Sequence, residues 1–173
     1  MEELLKEVKV PYEKLGKLEA ALHALKQTLE GLPVVGERPI DEAVSLLAKQ
    51  GVVVPFAIPD GIPANFKLSF APPSHVDLVG SYLLRTNAKP NLNIDVAVEM
   101  PESLFRNKDH LNYCYSLKRA YFLSVLALHL SKSKAYGGVR FSTLDGNTLR
   151  PILLLSPSGG GISLSSPLSL SQN

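Results

Sequence analysis

The stretch VDLVGSYLLRTNAKPNLNIDVAVEM, residues 76–100, constrains this chain more than any other. An apolar run ends at Gly80-Ser81, and a second extended run follows. In that second run Ile94, Val96 and Val98 alternate with Asn93, Asp95, Ala97 and Glu99. Alternation with period two places the first set on one face of a strand and the second set on the other. A strand, a tight Gly-Ser turn, a short helix or loop and a half-buried strand therefore follow one another, and the fold must be built on a sheet. The open question is what the polar face of that second strand does.

Composition narrows the answer. At 173 residues the chain can bury a sizeable core as one domain with appendages. A net charge of +2 is too small to argue for nucleic acid unless Lys and Arg gather on one face. No apolar run approaches the ~20 residues of a membrane span, and the N-terminal sequence lacks the apolar core of a signal peptide. Cys114 is the single cysteine, so an internal disulfide is excluded and a reducing, intracellular compartment is expected.

Along the chain, Leu15, Leu18, Leu22, Leu25 and Leu29 repeat at spacings of three and four, one stripe of a helix that Pro11 opens and Gly31-Leu32-Pro33 stops. A separate short helix is read over 2–10, and the stripe either packs on its own domain or docks a partner protein. Residues 31–39 read as a loop, and Asp41 as the cap of a helix over 42–49 that Gly51 ends. Strands are expected over 66–70, 74–79 and 91–100, then a long helix over 109–132 with Leu111, Tyr115, Leu117 or Lys118, Phe122, Val125 and His129 on its apolar side. Residues 139–143 and 148–155 form a hairpin around Asp145-Gly146. From Ser156 the sequence is Ser, Gly, Leu and Pro without charge, which reads as a flexible tail with too many breakers for a strand. The result is an α/β (α+β) fold, a mixed sheet with helices on one side, preceded by N-terminal helices.

Two-metal nucleotidyl transfer requires carboxylates that hold two ions about 3.5–4 Å apart. Acids at positions i and i+2 of a strand lie about 6.6 Å apart on one face and can share that pair. Nucleotidyltransferases carry such an Asp-x-Asp after a Gly-Ser turn. Here the pair reads Asn93-Ile94-Asp95, and Asn93 is a neutral, weak ligand. Glu99 lies about 13 Å further along the strand, too far to substitute. A third acid is expected from the neighbouring late strand, but TLRPILLL carries only Arg150. Gly80, Ser81, Asn93 and Asp95 thus outline a vestigial pocket with no catalytic residue, no metal and no cofactor.

Other chemistry is weaker still. His23, His75, His110 and His129 lack zinc-ligand spacing, and no Gly-x-Ser-x-Gly elbow exists. Gly159-Gly160-Gly161 is not followed by the Gly-Lys-Ser/Thr of a phosphate loop. Arg106, Lys108, Lys118 and Arg119 form either a basic patch for RNA phosphates or an ordinary solvated face.

The turn VGSYLL, the strand NIDVA closed by Met100-Pro101, the helix start NKDHLN, its centre KRAYFL and the late strand LRPILLL together resemble the first domain of the nucleolar RNA-associated protein (Nrap) family. The resemblance runs over about 66–155 and more loosely back to Met1. It implies a nucleotidyltransferase-like domain without activity, a scaffold of the small-subunit processome that contacts pre-ribosomal RNA and partner proteins in the nucleolus. On it the chain divides into a helical leader (1–37), the nucleotidyltransferase-like domain (38–156) and a tail (157–173) where the pattern is left, as expected of a truncated or alternatively spliced product or a mispredicted reading frame. Truncation is expected to bare apolar surface on 152–155 or the long helix. The alternative function is residual metal-dependent nucleotide binding or transfer through Asp95 and Gly80-Ser81.

Overall fold

The computed structural model describes residues 16–58, 60–86, 93–111, 113–157 and 163–166. The described elements run α1 (Gly16–Glu30), β1 (Val35–Pro39), α2 (Ile40–Lys49), β2 (Lys67–Phe70), β3 (His75–Val79), α3 (Gly80–Leu83) and β4 (Asn93–Glu99). A 3₁₀ turn (Glu102–Leu104) then leads to α4 (Cys114–Lys132), β5 (Tyr136–Leu144), β6 (Asn147–Pro157) and β7 (Ser163–Ser166). The helix read over 2–10, its neighbour Pro11 and the triple glycine at 159–161 lie outside the described residues.

Five strands form one sheet in the order β3-β4-β7-β6-β5, antiparallel except where β7 runs parallel to β4. β1 and β2 form a separate antiparallel pair. Sheet and helices mix irregularly, the α+β arrangement that the pattern of the sequence predicts. Ile94, Val96 and Val98 are buried on one face, and Leu25 and Leu29 of α1 meet Val98, Leu123 and Leu153 there. Of the leucine stripe, Leu25 and Leu29 therefore serve the chain's own core, with Leu22 packed against it, while Leu15 lies outside the described residues.

α4 is the hub. It packs on β5 and β6, on β2 and on α2, and 14 of its 19 residues are buried. The sequence reading gave it one apolar side; burial nearly all round replaces that picture, because β2 and α2 pack on it as well as β5 and β6. Phe122 meets Phe70 of β2 with ring centroids 5.0 Å apart. Ile152, Leu153 and Leu155 are buried as well, so the expected bare apolar surface on this strand and helix is absent.

Local signals were obeyed where chemistry is local. Gly51 adopts φ +83° after α2, and Gly51 N and Val52 N donate to Ala48 O and Leu47 O, a Schellman closure. Asp145 and Gly146, at φ 52° and 72°, make the tight turn that joins β5 to β6. Four boundaries differ. Residues 35–39 are not loop but β1, held by pairing with β2. Asp41 lies in the first turn of α2, whose N-cap is Pro39 without a side-chain bond. α4 begins at Cys114 rather than 109, because Tyr113 takes φ 58°, which no right-handed helix tolerates; Leu111 stays outside it and is exposed. Finally, the tail contributes β7, which enters between β4 and β6 and satisfies backbone groups that both would otherwise leave open.

Candidate functional site

Gly80 follows β3 directly, and Val79 is the register partner of Asp95 on β4. The turn therefore brings the glycine to the carboxylate. Gly80 has φ +74°, and a Cβ placed on it would lie 2.5 Å from Asp95 Oδ2. Only glycine satisfies both the backbone angle and this approach. Ser81 is the second residue of the single turn α3, and its carbonyl accepts from Thr86 N at 2.9 Å. Asn93 is the first residue of β4 and pairs with Ser163.

Around Asp95 the register runs Val79, Asp95, Ser165, Leu154, Arg140 across the five strands. β6, from which a third acid was expected, is not the neighbour of β4; β7 stands between them. Cross-strand partners share a face, so Asp77 and Glu99, paired with Ala97 and His75, lie on the face of Asp95. The polar face of β3–β4 is thus acidic.

The four basic residues proposed as one patch are not one patch. Lys118 and Arg119 are buried. Lys118 Nζ lies 2.5 Å from Asp109 Oδ2, donates to Leu104 O at 2.8 Å, and sits 5.5 Å from the centre of the Phe66 ring. It is a clamp between α4 and the segment before it, and a phosphate cannot reach it. The Arg119 guanidinium is pushed below its usual range by burial, with Arg150 nearby adding to the effect and Tyr115 opposing it. Arg106 and Lys108 are the exposed pair, and Arg106 Nη2 contacts Glu37 of β1 at 2.7 Å.

A cleft of about 490 Å³ opens beside these residues, lined in part by Phe105, Arg106, His110, Tyr113, Tyr115 and Ser116. Phe105 and Tyr115 stack at 5.7 Å and 29° to form one wall. Tyr113 projects at the rim, 56% exposed. Burial raises the Tyr115 hydroxyl pKa, and the charges of Arg119 and Arg150 oppose that shift. Sequence reasoning passed over this cleft, because Tyr113 was assigned to the interior of a helix. The succession Phe105-Arg106, then His110, then Tyr113 and Tyr115 was the available signal. Among the described residues, no helix is long and apolar enough to cross a membrane.

Comparison with known proteins gives one family. The family model described as Nrap protein domain 1 matches residues 37–168. That match runs past β7, so the family pattern does not stop near residue 156. Nucleolar protein 6 of Homo sapiens is 41% identical over 160 residues, which cover 92% of this chain and 14% of that protein. Nucleolar protein 6 of Xenopus laevis is 39% identical over the same shares. U3 small nucleolar RNA-associated protein 22 of Saccharomyces cerevisiae is 33% identical over 176 residues, covering 94% of the chain and 14% of the relative. The chain thus spans 14% of the length of these relatives.

Proposed function

The chain belongs to the Nrap family, and from that membership we propose that it is a non-catalytic scaffold module of nucleotidyltransferase fold. In this reading it acts in the nucleolus, within the small-subunit processome, where it contacts pre-ribosomal RNA and partner proteins. The names of the relatives, Nucleolar protein 6 and U3 small nucleolar RNA-associated protein 22, support the nucleolar and RNA-associated part.

The non-catalytic part is carried by one observation. In the row Val79, Asp95, Ser165, Leu154, Asp95 supplies the single carboxylate, and the residue two before it is Asn93. Two ions about 3.5–4 Å apart need several carboxylates to balance their charge. Asp77 and Glu99 share this face but belong to other rows, and Asp95 itself is held against the Gly80 turn, a structural contact.

The test combines two measurements on the tagged 173-residue chain. Affinity purification from nuclear extract should recover pre-ribosomal RNA and processome proteins; recovery of chaperones alone would defeat the scaffold reading. Titration with Mg-ATP should give no saturable heat. Saturable heat that disappears in Asp95→Ala would replace the scaffold by a nucleotide binder.

A further inference from the structure

The cleft at the start of α4 differs in chemistry from the acidic face around Asp95. It joins stacked rings to cations, and its buried acid, Asp109, is already neutralised by Lys118 at 2.5 Å. Tyr113 stands out on conformational grounds. A bulky residue at φ 58° is held against its steric preference, and the backbone around it fixes that state. Cys114 N donates to Leu111 O at 3.1 Å, Tyr115 N to Asp109 O at 2.8 Å, and Leu117 N to Tyr113 O at 3.0 Å. The ring so positioned is 56% exposed, so core packing does not account for its placement. Strain of this kind concentrates where a side chain is aimed at a ligand.

We propose that this cleft takes an unpaired base of single-stranded RNA, stacked on Tyr113, with Arg106, Lys108 and Arg150 meeting the adjoining phosphates. The proposal rests on the RNA-scaffold reading above and assigns that reading a site. A base presents a flat face to a tyrosine and polar edges to Asn107, His110 and Ser116, which line the same cleft. Arg150 is exposed on β6, and its charge acts on Tyr115 at the cleft wall. Arg106 is also exposed, and its bond to Glu37 is one for which a phosphate can compete. The face of β3 and β4 that carries Asp77, Asp95 and Glu99 repels phosphates. A duplex, whose bases are stacked within it, cannot offer one to Tyr113.

Fluorescence anisotropy with the 173-residue chain and a short labelled oligonucleotide tests this, single-stranded and as a duplex, at one fixed salt concentration. The single strand should bind more tightly. Tyr113→Gly relieves the positive φ, so its melting midpoint should not fall; its affinity should drop about tenfold, within the range of one lost base–aromatic stack. Tyr113→Phe keeps the ring and should bind as the parent does. A Lys108→Glu/Arg150→Glu chain should lose affinity and much of the salt dependence. If the parent binds but Tyr113→Gly and the charge reversal leave affinity unchanged, RNA sits elsewhere: the cleft is refuted and the scaffold reading stands. Equal affinity for the duplex also refutes the base pocket. If the parent binds neither form, both the cleft and the RNA contact of this module fail.

Discussion

Lys118 and Asp109 form an ion pair at 2.5 Å with side chains only 8% and 10% exposed. Asp109 Oδ2 also accepts from Arg106 N at 2.7 Å, while Lys118 donates to Leu104 O. One carboxylate and one ammonium thus fix the whole approach to α4. Removing one partner of such a pair leaves a buried charge and costs about 3–5 kcal/mol, whereas removing both costs much less. Lys118→Met should lower unfolding free energy in urea by about that amount, and Lys118→Met with Asp109→Asn should recover a large part of it. Equal stability of the single and double variants would show that the pair is not coupled.

The approach of Gly80 to Asp95 makes a second prediction. In Gly80→Ala the new methyl meets Oδ2 at 2.5 Å, and the backbone remains at φ +74°. The conformational part alone is about 1–2 kcal/mol, and the clash adds to it. Gly80→Ala should therefore be destabilised by more than about 2 kcal/mol in chemical denaturation. Adding Asp95→Ala should return the steric part and leave the conformational part. A Gly80→Ala chain as stable as the parent would mean that the turn is not seated as described.

Acid sensitivity follows from His129. Burial first, then the Lys132 charge, lowers its pKa below the ordinary 6.5. The unfolded chain then takes up the proton at higher pH than the folded chain does. Its contribution to stability is complete above 6.5 and is lost as pH falls from there through the lowered folded value. Melting midpoints should decline across that window, and His129→Gln should decline less. Identical slopes in the two proteins would assign the acid sensitivity to the carboxylates instead.

These sites show why some of the structure was legible in the sequence and some was not. Gly51, Asp145-Gly146 and the alternation of Ile94, Val96 and Val98 act through their own neighbours, and the chain obeys them. The approach of Gly80 to Asp95 was readable because one turn and one register determine it. Lys118 and Arg119 looked like surface cations because nothing local shows that β2 and α2 also pack on α4. β1 is a strand because β2, about thirty residues on, pairs with it, a distance over which spacing patterns carry no information. The aromatic cleft was missed for a related reason: Tyr113 has a helical neighbourhood in sequence, and its φ of 58°, set by the backbone bonds around it, keeps it out of α4.

β7 provides the strongest test of the sheet. It lies between β4 and β6, with Ser165 opposite both Asp95 and Leu154. In a strand flanked on both sides every backbone N–H has an acceptor, so a proline must break one ladder bond. Ser165→Pro loses a hydrogen bond worth about 1 kcal/mol and strands a carbonyl at a further cost of about 1–3 kcal/mol. Amide exchange should accelerate at Ile94, Asp95 and Leu154 in that chain, while amides paired only within the β5–β6 hairpin keep their protection. Ser165→Thr, which keeps the N–H and suits a strand, should exchange as the parent does. The opened edges of β4 and β6 would then pair with other chains, so Ser165→Pro should also aggregate at lower concentration. Unchanged exchange in Ser165→Pro would remove β7 from the sheet and return residues 163–166 to the tail that their composition suggests.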